Sequence, residues 1–153
     1  MKAAFRLILT IVLGVVLVNR ATLLAQTPPD SSTLPPTISA PATGVTAGTA
    51  LFVSFRLPEA AKPGTVTLTF SGSSTVTLVL SSLRETAGSH SFTFDPRNPG
   101  ASSSVASGSA IPDGLYTLTL TYQDAVGNPP AVAFASALTI DTNGPTGGSF
   151  LVT

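Results

Sequence analysis

The chain has 153 residues, seven Lys/Arg against seven Asp/Glu, one histidine and no cysteine, with 13 glycines and 13 prolines. The missing thiols exclude a disulfide scaffold and thiolate-based zinc or iron–sulfur sites. The sparse, balanced charge excludes the basic footprint of a nucleic-acid binder, and 22 threonines plus 18 serines against 14 charged residues exclude a coiled coil.

At the N-terminus Lys2 and Arg6 precede the uncharged run Leu7 to Val18, and the small residue Ala25 stands before Gln26. This is the layout of a signal helix over residues 1–25, cleaved after Ala25. The run of 12 residues falls short of the roughly 18–20 that a membrane-spanning helix needs. Arg20 and Leu23 depart from the usual pattern near the cut, and an uncleaved N-terminal anchor is the alternative; membrane contact is expected only through that segment. No cysteine follows the run, so an acyl-cysteine lipoprotein is excluded. The expected location is extracellular, cell-surface or periplasmic. Cutting after Ala25 leaves 128 residues with four basic and seven acidic side chains, a mildly acidic chain the size of one domain.

Residues 26–36 are Pro/Ser/Thr-rich and read as a semi-stiff linker, because proline fixes φ and favours extended chain. A period of two then dominates. Thr37 to Ser39 is a short first strand. Leu51 to Leu57 aligns Leu51, Val53, Phe55 and Leu57, with Phe52 on the opposite face. Thr65 to Phe70 aligns Val66, Leu68 and Phe70; Thr75 to Leu80 aligns Val76, Leu78 and Leu80. Ser89 to Phe94 aligns His90, Phe92 and Phe94. Leu115 to Tyr122 aligns Tyr116, Leu118, Leu120 and Tyr122 against alternating threonines, and Val132 to Ile140 aligns Val132, Phe134, Leu138 and Ile140. Alternation with threonine on the wet face is the signature of half-buried antiparallel strands. Turn sequences such as Lys62-Pro63-Gly64 and Pro112-Asp113-Gly114 separate the runs. Residues 97–111 break the rhythm with a Gly/Ala/Ser stretch that reads as a long flexible loop, and a one-turn helix near Leu83 to Thr86 has little support. About seven strands without a helical period predict an all-β, antiparallel two-sheet sandwich.

The motif with the most physical content is Asp113-Gly114-Leu115-Tyr116. A tyrosine just after an Asp-Gly turn can bury its ring while its hydroxyl bonds back to the loop, the tyrosine corner of Greek-key sandwiches. The plainer reading is a turn followed by an amphipathic strand, and both readings are structural. With Tyr122-Gln123-Asp124-Ala125-Val126-Gly127-Asn128 and Asp141-Thr142-Asn143-Gly144-Pro145, the stretch 113–145 resembles the C-terminal half of bacterial immunoglobulin-like repeat domains.

The resemblance implies an immunoglobulin-like β-sandwich over 37–145, used in tandem arrays of secreted or surface proteins as a spacer or adhesive stalk. Residues 146–153 are then a linker or the start of a next repeat, with Ser149 to Thr153 as its first strand. The expected partners are neighbouring repeats and a host or self surface protein or glycan.

No catalytic residue is expected. His90 has no sequence-near base, nucleophile or ligand partner and reads as structural. The serines show no Gly-x-Ser-x-Gly elbow, and the carboxylates sit mostly in turns, where Asp serves local backbone hydrogen bonds. No cofactor is expected. Calcium is the one ion worth considering, with Asp141 and Asn143 at the exit and Asp124 and Asn128 in the preceding hairpin as candidate oxygen ligands; Asx-turn and strand-end chemistry is the favoured reading of the same residues. The functional alternative to a spacer is a binding module for a glycan or protein ligand. It has little aromatic support, since tryptophan is absent and only Phe52 and Phe150 look free.

Overall fold

A computed structural model describes residues 31–143; the signal helix, the cut after Ala25 and the strand expected at 149–153 lie outside them. The chain forms nine strands among the described residues: β1 (Thr37–Ala40), β2 (Thr46–Ala47), β3 (Leu51–Leu57), β4 (Thr67–Gly72), β5 (Thr75–Leu80), β6 (Gly88–Phe94), β7 (Val105–Ser107), β8 (Gly114–Tyr122) and β9 (Ala131–Ile140). They make an all-β sandwich of a three-stranded sheet, β1-β3-β6, and a six-stranded sheet, β2-β9-β8-β4-β5-β7.

The alternation read from the sequence drives this arrangement. Leu51, Val53, Phe55 and Leu57 of β3 face Leu68, Phe70, Leu78, Leu118 and Leu120 of the larger sheet, and all are almost wholly buried. Phe70 meets Phe94 across the sandwich edge-to-face, ring centroids 6.5 Å apart, and meets Tyr116 of its own sheet at 6.3 Å. Each such side chain contributes about 1.5–3 kcal/mol on burial, enough to build one core without a bridge.

Four sequence expectations are corrected. First, β9 does not keep one parity. Leu118 pairs with Ala135 but Tyr116 with Leu138, so a bulge absorbs one extra residue at Ser136–Ala137. Ala137 there has a φ of +54°, which costs an L-residue about 1–2 kcal/mol. Leu138 and Ile140 point inward as expected, whereas Val132 and Phe134 point outward and Ala131, Ala133 and Ala135 take the inner side. Second, β2 pairs with β9 in parallel, Thr46 opposite Thr139 and Ala47 opposite Ile140, so the sheet is not purely antiparallel. Third, residues 97–111 are not a featureless loop. Pro99–Ala101 is a 3-10 turn, β7 pairs with β5, and buried Ser104 accepts two bonds from Arg84, whose guanidinium lies over Phe92 at 5.2 Å. A further 3-10 turn covers Ser82–Arg84, overlapping the one-turn helix that had little support in the sequence. Fourth, the body of the domain starts before Thr37. Thr33 is buried and bonded to it, so the linker does not extend to residue 36.

The hairpin β4–β5 sits hard against the start of β8. A side chain on Gly72 would collide with the Leu115 carbonyl, whereas one on Gly100 would meet nothing. Gly72→Ala should destabilise the fold by about 1–3 kcal/mol, and Gly100→Ala should change it by less than about 0.5 kcal/mol. Paired denaturant melts check this; equal midpoints would contradict the tight β4–β8 approach.

Candidate functional site

The strand directions place the chain's entry and exit at opposite ends of the sandwich. Thr33 and Leu34 lie at the end that carries the β3–β4 and β8–β9 connections, and residues 141–143 lie at the end that carries the β4–β5 turn and the Asp113-Gly114 turn. The nine-residue β8 runs between them, a separation of about 30 Å at roughly 3.3 Å per residue.

At the entry pole the chain is tied by three bonds. The Tyr122 hydroxyl donates to the Leu34 carbonyl at 2.6 Å, the Leu34 N–H to the Glu59 carboxylate at 2.8 Å, and the Asp124 N–H to the Thr33 hydroxyl at 3.2 Å. The buried Asp124 carboxylate organises the adjacent hairpin. It accepts the Gly127 N–H at 2.7 Å, the Asn128 N–H at 3.1 Å and the Asn128 side-chain amide at 2.6 Å. Burial pushes this carboxyl up, but the donations from Asn128, Gly127 and Val126 outweigh it and hold the group below its ordinary value.

At the exit pole Asp113 plays the corresponding part. One oxygen accepts the Thr142 N–H at 2.9 Å and the Thr142 hydroxyl at 2.8 Å, and the other accepts the Asn143 side-chain amide. The Thr142 N–H and hydroxyl hold this carboxyl below its ordinary value against the effect of burial, and Asn143 adds to them. Gly114 next to it is compelled by space, since a side chain there would strike Ser73. The buried Tyr116 donates its hydroxyl to the Pro112 carbonyl at 2.9 Å and lies 3.1 Å from the Ser74 hydroxyl, which joins the turn to the β4–β5 hairpin. Arg97 pairs with Asp95 at 2.9 Å on the surface nearby, an exposed contact of small energetic weight.

The four candidate calcium ligands are not brought together. Asp124 and Asn128 lie at the entry pole and Asp141 and Asn143 at the exit pole, the length of β9 apart. Within each pair the side chains have other partners: the Asp124 oxygens accept N–H donors, and the Asn143 side-chain NH2 donates to Asp113. Among the described residues no three His, Cys, Asp or Glu side chains cluster as metal ligands. His90 is buried in the core face of β6, tilted against Phe55 at 5.2 Å and bonded through Nε2 to the Thr86 carbonyl at 2.7 Å.

The sequence did not point to Glu59, Thr33 or Leu34, because nothing local marks residues 25 and 91 positions distant from their partners. Tyr122 was legible as a buried ring but not as the anchor of the entry segment. No protein-family model matches the chain, and no match to it was found among curated proteins or solved structures. Among the described residues no helix is long and apolar enough to cross a membrane.

The two carboxylates make an acid-sensitivity prediction. Both are held below their ordinary value in the folded chain, so their stabilisation is complete above the unfolded value and is lost as pH falls through the folded one. The melting midpoint should be level above about pH 5 and decline below about pH 4, and Asp113→Asn should flatten part of that decline. Millimolar calcium or a chelator should leave the midpoint unchanged; a calcium-dependent rise would contradict the assignment of these residues to turn chemistry.

Proposed function

We propose that the chain is a non-catalytic, exported immunoglobulin-like module that acts as a structural spacer or adhesive stalk in a bacterial surface or secreted protein. The observation that carries this reading is the pair of tied poles: the chain enters at one end, leaves at the other, and is bonded to the body at both. A module of that form extends a chain along one axis and holds its direction at each junction. The immunoglobulin-like topology is supported by the first strand being shared between sheets, β1 beside β3 and β2 beside β9, and by the Tyr116 hydroxyl bonding back to Pro112. The motifs at 113–145 add to it. Export rests on the leading segment, Lys2 to Ala25.

Tension on such a module runs from the entry pole to the exit pole. Because β2 and β9 are parallel, pulling on the two ends slides one strand along the other. The bonds Gly44 N–H to Ser136 (3.2 Å), Thr139 N–H to Val45 (2.9 Å) and Asp141 N–H to Ala47 (2.9 Å) then bear the load together. Asp141→Pro removes the last donor. It should lower the unfolding force in single-molecule pulling and speed unfolding under load. Its equilibrium cost should stay near the net worth of one hydrogen bond, about 1 kcal/mol. An unfolding force unchanged by the substitution would remove the parallel pair from the load path and, with it, the mechanical support for the spacer reading.

A further inference from the structure

The outer face of the six-stranded sheet has a composition that strand propensity alone does not explain. Its neighbours in register are Thr121 and Thr67, Thr119 and Thr69, Thr117 and Ser71. The same rows continue to β5, where Thr69 and Thr77 bond hydroxyl to hydroxyl at 3.1 Å, and to β9, where Phe134 stands beside Thr119. Threonine is a good strand former, so its abundance is ordinary. The face also carries no charged side chain. The described residues hold ten charged side chains. Asp95, Arg97, Asp113 and Asp141 sit at or near the exit pole, Glu59, Lys62, Glu85 and Asp124 at the entry pole, Arg84 over Phe92 at the sandwich edge, and Arg56 on the outside of the small sheet. None lies on the outer face of the large sheet, where Phe134 is 65% exposed and Leu115 58% exposed.

We propose that this face is an isologous interface between two copies of the chain. Depletion of charge together with exposed aromatic surface distinguishes interface cores from the rest of a protein surface. Hydroxyl groups favour a second copy as the occupant because each one both donates and accepts, so a threonine array meets its own image without an unsatisfied group or a like-charge clash. A two-fold axis along the strands between β8 and β4 sets Thr119 over Thr69 of the partner subunit and Phe134 over Thr77 of the partner subunit. Four principal strands about 4.8 Å apart and roughly 25 Å long, with side-chain margins, give about 500–600 Å² per copy. The total of about 1,100 Å² lies at the low end of specific interfaces, so the dimer is a weak, concentration-dependent one. The association requires neither the export nor the tandem arrangement proposed above.

The test is sedimentation of the full 153-residue chain over micromolar to sub-millimolar concentration, with two substitutions that each add one positive charge. Thr119→Lys lies at the centre of the face, and Ser91→Lys lies on the outside of the other sheet. The wild-type chain should pass from monomer to dimer. Thr119→Lys should weaken the dimer at least about tenfold by burying an unpaired charge, while Ser91→Lys should not. Thermal melts establish that each variant is folded; if Thr119→Lys is not, the more exposed Thr77→Lys takes its place. A chain that stays monomeric overturns the proposal. Association that responds equally to both substitutions, or to neither, also overturns it, since association through the apolar leader would behave that way. A monomer retained on a polysaccharide matrix in a manner lost with Thr119→Lys assigns the face to glycan instead.

Discussion

Everything distinctive about this sandwich passes through one irregular point, the bulge at Ser136–Ala137 in β9. Before it, β9 turns alanines inward and Val132 and Phe134 outward; after it, Leu138 and Ile140 fill the core. The bulge also leaves the Ser136 carbonyl free to accept the Gly44 N–H, and β2 begins its parallel pairing immediately afterwards. Without the extra residue the strand keeps one parity: either Leu138 and Ile140 leave the core or Phe134 is forced into the space sized for alanine. The positive φ at Ala137 is a local strain of about 1–2 kcal/mol, offset by two fully buried aliphatic side chains that are each worth as much or more.

The polar chemistry is concentrated where the chain crosses from coil into sheet. Tyr122, Asp124 and Glu59 fix residues 33 and 34 at one pole, and Asp113 fixes residues 142 and 143 at the other. In both places an aspartate accepts from N–H donors, Asp124 within its own hairpin and Asp113 from the exit segment, and those donors hold both carboxyls below their ordinary value. Among the described residues eight of the ten charged side chains lie at or near the two ends, and the broad outer face of the large sheet carries none.

Alternation made most of the fold legible. The residues that line β3, β4, β5, β6 and β8 alternate without interruption, and their inward sets are those read from the sequence. Where sequence reasoning went astray, the period was broken by geometry. In Ala131–Ile140 the bulky residues fall on even positions throughout, so the pattern itself suggests an unbroken strand, and only the pairing with β8 reveals the extra residue. The Gly/Ala/Ser stretch hid β7 because small residues give no periodic signal, yet its small side chains let Ser104 approach Arg84. At the poles, Asp113-Gly114 and Tyr116 were recognisable because turn chemistry is local. The anchoring of Leu34 by Glu59 and Tyr122 was not, because it joins residues far apart in the chain.

The absence of cysteine, which first excluded a stapled scaffold, supplies the most direct test of the bulge. Phe134→Cys and Leu138→Cys each place a single thiol in an otherwise thiol-free chain, four residues apart on the same parity of β9. Thiol-labelling rates in dilute solution should differ by orders of magnitude, with the thiol at 134 reacting as an exposed group and the thiol at 138 protected by the core. Similar protection at both positions would mean that β9 keeps one face throughout, and would contradict the parity switch on which the outer face and the β2–β9 pairing depend.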